Sequence, residues 1–217
     1  MSEGLRERWQ PVSAEVRSGA VRAVEFDPLA DLSTAQFARP RDLGLLNLRA
    51  LSPFQRALLV IDGTVTTFLE AYTLEPVDIV RIAHSEMPLA EANAWLDAPQ
   101  DTAVTLRHVL IQGRYSRVLY VYAVSLVVTE RLPPAARRRL EMDGEGIGRV
   151  LHATRLETRR EVLWFGREHA TDLPAAVRDA SDGEFISRTY RIFHRARPIA
   201  LISERFPVGA DRLPSQY

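Results

Sequence analysis

The chain contains no cysteine. Disulfides, thiol nucleophiles, iron–sulfur clusters and thiolate zinc sites are therefore excluded together. Lysine is missing as well, so all 28 Lys-or-Arg positions are arginine. Without lysine there is no Schiff-base nucleophile, which rules out ordinary pyridoxal-phosphate and class I aldolase chemistry. The lysine of a phosphate-binding P-loop is absent for the same reason. A bias toward arginine codons accounts for the composition, and the chemical exclusion holds whatever its origin. Charge of one sign is not in excess: 28 basic and 28 acidic residues cancel. A balanced chain offers no concentrated positive patch for nucleic acid. Long apolar runs are few. The stretch 118–128 carries Tyr and Ser and is too short to cross a bilayer. Residues 1–10 are charged and polar, unlike a secretory leader. The expected setting is cytoplasmic, with neither nucleic acid nor membrane as partner. Oligomeric state leaves no signal in the sequence.

What is present suits one domain with an extension: 217 residues, 46% apolar and 26% charged. Residues 1–42 are weakly patterned and punctuated by Pro28 and Pro40. They are expected as an N-terminal extension with room for one short helix, leaving 43–217 as the main domain. At Leu51 the signal sharpens. Ser52 can cap a helix, Pro53 suits its first position, and Gln55 completes a capping box. Phe54, Ala57, Leu58 and Ile61 follow helical spacing. Asp62-Gly63 breaks the run, and Thr64 can cap a second helix carrying Val65, Phe68, Leu69 and Tyr72 that ends at Glu75-Pro76. Further on, 77–83, 103–111, 118–128, 157–166, 185–195 and 199–206 read as strands, and 133–142 as a short arginine-rich helix. The second and third strands make a hairpin through Gly113 and Arg114-Tyr115-Ser116. Strands joined by hairpins and short helices, without a βαβ rhythm, indicate an α+β fold on an antiparallel sheet.

Most local motifs exclude chemistry. The five histidines form no i, i+4 pair and no HExxH, so a metal site is not expected. His84-Ser85-Glu86 resembles the start of a deaminase motif, whose cysteine ligands do not exist here. Gly144-Glu145-Gly146-Ile147-Gly148 follows a helix and mis-spaces its third glycine for a dinucleotide loop. It reads instead as a tight loop that lets backbone approach something closely. No G-x-S-x-G elbow occurs. What remains is charge inside strands. Arg107 shares a face with Thr105, Val109 and Ile111, where a guanidinium needs an acid or an anionic ligand. Glu204 shares a face with Ala200, Ile202 and Phe206; a lone, desolvated carboxylate there has a raised pKa. A salt bridge between the two, or a place at the solvated sheet edge, is the structural alternative.

These residues also carry a resemblance. Leu51-Ser52-Pro53-Phe54-Gln55-Arg56 with Asp62-Gly63-Thr64-Val65-Thr66 is similar to the opening of the chorismate pyruvate-lyase family, in its longer branch. The likeness continues through Leu106-Arg107-His108-Val109-Leu110 and Gly146-Ile147-Gly148-Arg149-Val150-Leu151. It closes on Pro198-Ile199-Ala200-Leu201-Ile202-Ser203-Glu204-Arg205-Phe206. The resemblance implies a single antiparallel β-sheet with helices on one side and helical flaps over a buried ligand pocket. It implies a carbon–oxygen lyase that needs no cofactor and no metal, takes chorismate and leaves 4-hydroxybenzoate and pyruvate. The four positions that line the family's product site fall on Val65, Arg107, Ile147 and Glu204, with Val65 and Ile147 where the family often has methionine and leucine. Arg107 is then expected on the ring carboxylate and Glu204 at the hydroxyl end, as proton shuttle or hydrogen-bond partner. Arg149, Arg188 and Arg191 are candidates for the enolpyruvyl carboxylate. Two other readings stand beside this one: a lyase acting on 4-amino-4-deoxychorismate to give 4-aminobenzoate, and a non-catalytic effector-binding domain for a small aromatic acid.

Overall fold

The computed structural model describes residue 29 and residues 31–142 and 145–209. Helix α1 (Pro53–Val60) starts on a complete capping box. Ser52 Oγ accepts from the Gln55 N–H at 3.2 Å, and Gln55 Oε1 accepts from the Ser52 N–H at 2.9 Å. Helix α2 (Val65–Thr73) follows the Asp62-Gly63-Thr64 break and stops at Leu74, whose φ of 57° is the left-handed turn that closes many helices.

Three strands come next: β1 (Val77–Pro88), β2 (Ala103–Gly113) and β3 (Leu119–Val127). Two short helices, α3 (Pro134–Glu141) and α4 (Ile147–Ala153), lead to β4 (Arg159–His169). The one-turn helix α5 (Ala175–Arg178) precedes β5 (Glu184–His194) and β6 (Arg197–Pro207). The six strands form one sheet in the order β1-β2-β3-β6-β5-β4, antiparallel at every pairing. The last strand made therefore lies in the middle, joining one meander (β1–β3) to another (β4–β6).

Most elements shift by one to three residues from their expected limits, and two differ more. Strand β1 runs to Pro88 rather than residue 83. A bulge between Arg81 and Ala83 shifts its register, and the extra residue breaks the period-two pattern by which a strand is read. The glycine-rich stretch expected as a loop enters helix α4 at Ile147; Gly144 lies outside the described residues.

The four longer helices cover one face of the sheet. Phe54 and Leu58 of α1 and Val65 and Leu69 of α2 pack on Ile79, Ile111, Ala123 and Phe206. Ala136 and Leu140 of α3 and Val150 and Leu151 of α4 pack on Tyr190, Ile192 and Ile202. Each fully buried aliphatic side chain contributes roughly 1.5–3 kcal/mol. On the opposite face Val177 of α5 meets Leu110, Tyr122 and Phe185. The outer edge of β4 is partly covered from the N-terminal side. Thr34 and Ala35 donate to Val162 and Leu163 carbonyls at 2.9 and 3.0 Å, and Gly44 and Arg167 exchange hydrogen bonds of 2.7 and 2.9 Å. This satisfies backbone groups that an open edge leaves bare. Residues 1–28 and 30 of the expected extension lie outside the described residues. No helix among the described residues is long and apolar enough to cross a membrane.

Candidate active site

Between the covered sheet face and the N-terminal turns of α2 and α4 lies a cavity, and it gathers all four sequence-derived site residues: Val65, Arg107, Ile147 and Glu204. Strand alternation explains the two charged ones. Arg107 points into the cavity beside Val109 and Ile111, and Glu204 does so beside Ile202. Arg107 pairs with Ser125 across β2 and β3, while Glu204 pairs with Ala123 across β3 and β6. Two strand spacings and a two-residue offset put their Cα atoms roughly 12 Å apart.

The two charges live in different surroundings. Arg107 is only 2% exposed. Its Nη2 donates to the Glu145 carbonyl at 2.8 Å, while its Nε has no partner. No carboxylate among the described residues pairs with it. Burial, and then the nearby Arg81 charge, push its pKa down to about 10.

Glu204, 5% exposed, is the opposite case. Its Oε2 accepts from Arg188 Nε at 2.8 Å, and its Oε1 accepts from the Tyr190 hydroxyl at 3.0 Å. Arg188 is 1% exposed and also donates to the Ile61 carbonyl at 3.0 Å, at the end of α1. The expectation of a lone carboxylate is thus corrected: Glu204 has its own buried cation, which is Arg188 and not Arg107. Burial, and then the charge of Glu204, push the Tyr190 phenol pKa up, so Tyr190 stays a proton donor to the carboxylate.

The roof is made by two helix starts. Val65 and Ile147 are the first residues of α2 and α4, and Gly148 lets the two turns touch: a Cβ there would run into the Thr64 methyl. The close approach expected of the glycine-rich stretch is therefore to Thr64. Thr66 also lines the cavity, is 6% exposed, and has an unpartnered hydroxyl.

Residues 59–213 match the family model described as chorismate pyruvate-lyase, Rv2949c-like. The chain belongs to this family. A protein named chorismate pyruvate-lyase from Mycobacterium tuberculosis is 30% identical over 169 residues, covering 73% of this chain and 82% of that protein. One of the same name from Mycobacterium leprae is 28% identical over 172 residues, covering 76% and 80%. The chain is accordingly a lyase. Among solved structures, PhnF from Mycobacterium smegmatis superposes with a TM-score of 0.52 at 12% identity, over 78% of this chain and 68% of PhnF. The effector domain of PhnF alone gives 0.52 at 13% identity, over 67% and 88%. At such identities the likeness is one of fold.

In this lyase the three candidate arginines for a second carboxylate occupy different places. Arg149 lines the cavity but is paired with Glu70 at 2.5 Å. Arg188 sits behind Glu204 as its counter-ion. Arg191 faces the other side of the sheet, bonded to Glu161 at 2.9 and 2.6 Å. Sequence reasoning missed Arg160, Tyr190, Thr66 and Ser125, all of which line the cavity. Alternation along β5 would have placed Tyr190 beside Arg188 and Ile192. Nothing local marks Thr66, whose neighbours are set by tertiary packing.

Proposed function

We propose that this lyase eliminates pyruvate from chorismate and leaves 4-hydroxybenzoate. The observation that carries the reading is Arg107: a buried guanidinium with no acid beside it among the described residues, in a cavity lined by apolar and polar side chains in equal number. A ring carboxylate fits that group with a charge-assisted hydrogen bond, worth roughly 1.5–3 kcal/mol net. Arg107 then fixes one end of the ring. Glu204 receives the hydroxyl at the other end, since each of its oxygens keeps a second acceptor position after bonding Arg188 and Tyr190. The proton at C4 leaves, the C3–O bond breaks, and the ring becomes aromatic. The departing enolpyruvate takes up one proton and becomes pyruvate, so atoms and electrons balance without an oxidant or reductant. The side chains of Val65 and Ile147 keep water from the ring and strengthen both polar contacts. Substrate and product are small molecules; the reading calls on no cofactor.

The test is direct. Purified, metal-stripped protein is incubated with chorismate while 4-hydroxybenzoate and pyruvate are followed together. Equal amounts of both support the proposal. Saturable binding of an aromatic acid without turnover would replace it with a sensor, and turnover of 4-amino-4-deoxychorismate alone would replace it with the amino analogue. Arg107→Gln is expected to lose chorismate binding. Full activity in Glu204→Gln would remove Glu204 from proton transfer but not from holding the hydroxyl.

A further inference from the structure

We infer that Arg160, at the start of β4, is the group that receives the enolpyruvyl carboxylate. The inference rests on the function proposed above and concerns which cation completes that site. Chorismate carries its ring carboxylate on C1, its hydroxyl on C4 across the ring, and its ether oxygen on C3, next to C4. The second carboxylate therefore hangs beyond the hydroxyl end, away from the first. Its cation must lie on the far side of Glu204 from Arg107.

The sheet order meets that requirement. Arg107 is on β2, Glu204 on β6 and Arg160 on β4, so Glu204 lies between the two arginines in strand order, two residues to one side of Arg107's row while Arg160 lies two residues to the other. Four strand spacings and a two-residue offset set the Cα atoms of Arg107 and Arg160 roughly 20 Å apart. Arg160 lines the cavity beside Tyr190, the residue bonded to Glu204. Among the described residues it makes no ion pair. Its Nη1 donates to the Asp62 carbonyl at 2.7 Å, which holds the side chain against the turn between α1 and α2 and leaves its other N–H groups available. The alternatives fail on position or charge. Arg149 is already neutralised by Glu70, and its other contact is the Val77 carbonyl at the start of β1, on Arg107's flank. Arg188 and Arg191 are spent on Glu204 and Glu161.

The experiment uses the full chain and two ligands that differ in the group at issue. Chorismate has the enolpyruvyl carboxylate; 4-hydroxybenzoate lacks it. Arg160→Gln is expected to raise KM for chorismate about 10- to 100-fold, the loss of one charge-assisted contact. Its affinity for 4-hydroxybenzoate, measured by calorimetry, should stay within about twofold of wild type, a margin well below one such contact. Arg160→Lys should recover part of the loss. Unchanged product binding also certifies that the variant is folded. An indifferent KM in Arg160→Gln, equal loss of both ligands, or the selective defect appearing in Arg149→Gln instead would each overturn the assignment. A wild-type chain that makes no 4-hydroxybenzoate would sink the function and the subsite together; an active wild type with an indifferent Arg160→Gln sinks the subsite alone.

Discussion

Arg107 is kept out of water with no carboxylate beside it among the described residues, and its lowered pKa of about 10 expresses the strain. A base whose folded pKa lies below its unfolded value destabilises the fold wherever it is charged, here at every pH below about 10. Removing the charge should therefore strengthen the empty protein. Arg107→Met is expected to raise stability by about 1–4 kcal/mol while abolishing binding of 4-hydroxybenzoate. Denaturant titration and calorimetry on the same preparation check both halves; a variant that is weaker on both counts would mean that Arg107 is a packing residue. At this scale the sequence was informative where alternation alone decides. Thr105, Arg107, Val109 and Ile111 had to share a face once β2 was recognised, and Glu204 had to share one with Ile202. The partnership of Glu204 was not legible. Arg188 and Tyr190 reach it across the β5–β6 pairing, and register between strands is written in no local pattern.

At the scale of elements, α4 is the instructive case. Its seven residues include Gly148 and follow Gly146, and glycine lowers helix propensity by roughly 1 kcal/mol per position. Local signals therefore read as a loop. Packing overrode them: α4 buries Val150 and Leu151 against the sheet and sets its first turn on Thr64. Gly148→Ala is expected to push α4 away from α2, lowering kcat/KM for chorismate and stability by about 1–3 kcal/mol. Gly63→Ala is the control, since a Cβ there meets only the Ile61 side chain at 3.8 Å. Kinetics and thermal melts of the two variants decide; equal effects would show that the helix contact does not seal the cavity. Helix α1, by contrast, was fully legible, because its capping box and leading proline act within four residues.

Over the whole molecule, the β3–β6 pairing holds the two meanders side by side, and the site straddles it. Arg107 comes from the first meander and Glu204 from the second, so a ligand held by both ties the meanders together. A ligand that binds the intact sheet but not the opened one stabilises it by RT ln(1 + [L]/Kd). Hydrogen exchange with saturating 4-hydroxybenzoate should slow amides of β3 and β6 more than those of the outer strand β1. Uniform slowing across all six strands would mean that the sheet opens only as a unit.

The central place of β6 also sets an order in time. On the ribosome, β1, β2 and β3 emerge first and can pair with one another, as can β4 and β5 later. Both groups then present a bare inner edge until Pro207 has been made. Unpaired edges in half-made chains are where aggregation begins. The strand that carries Glu204 is thus the one that ends this exposure, and the newborn chain acquires its shelter and the last wall of its cavity in the same step.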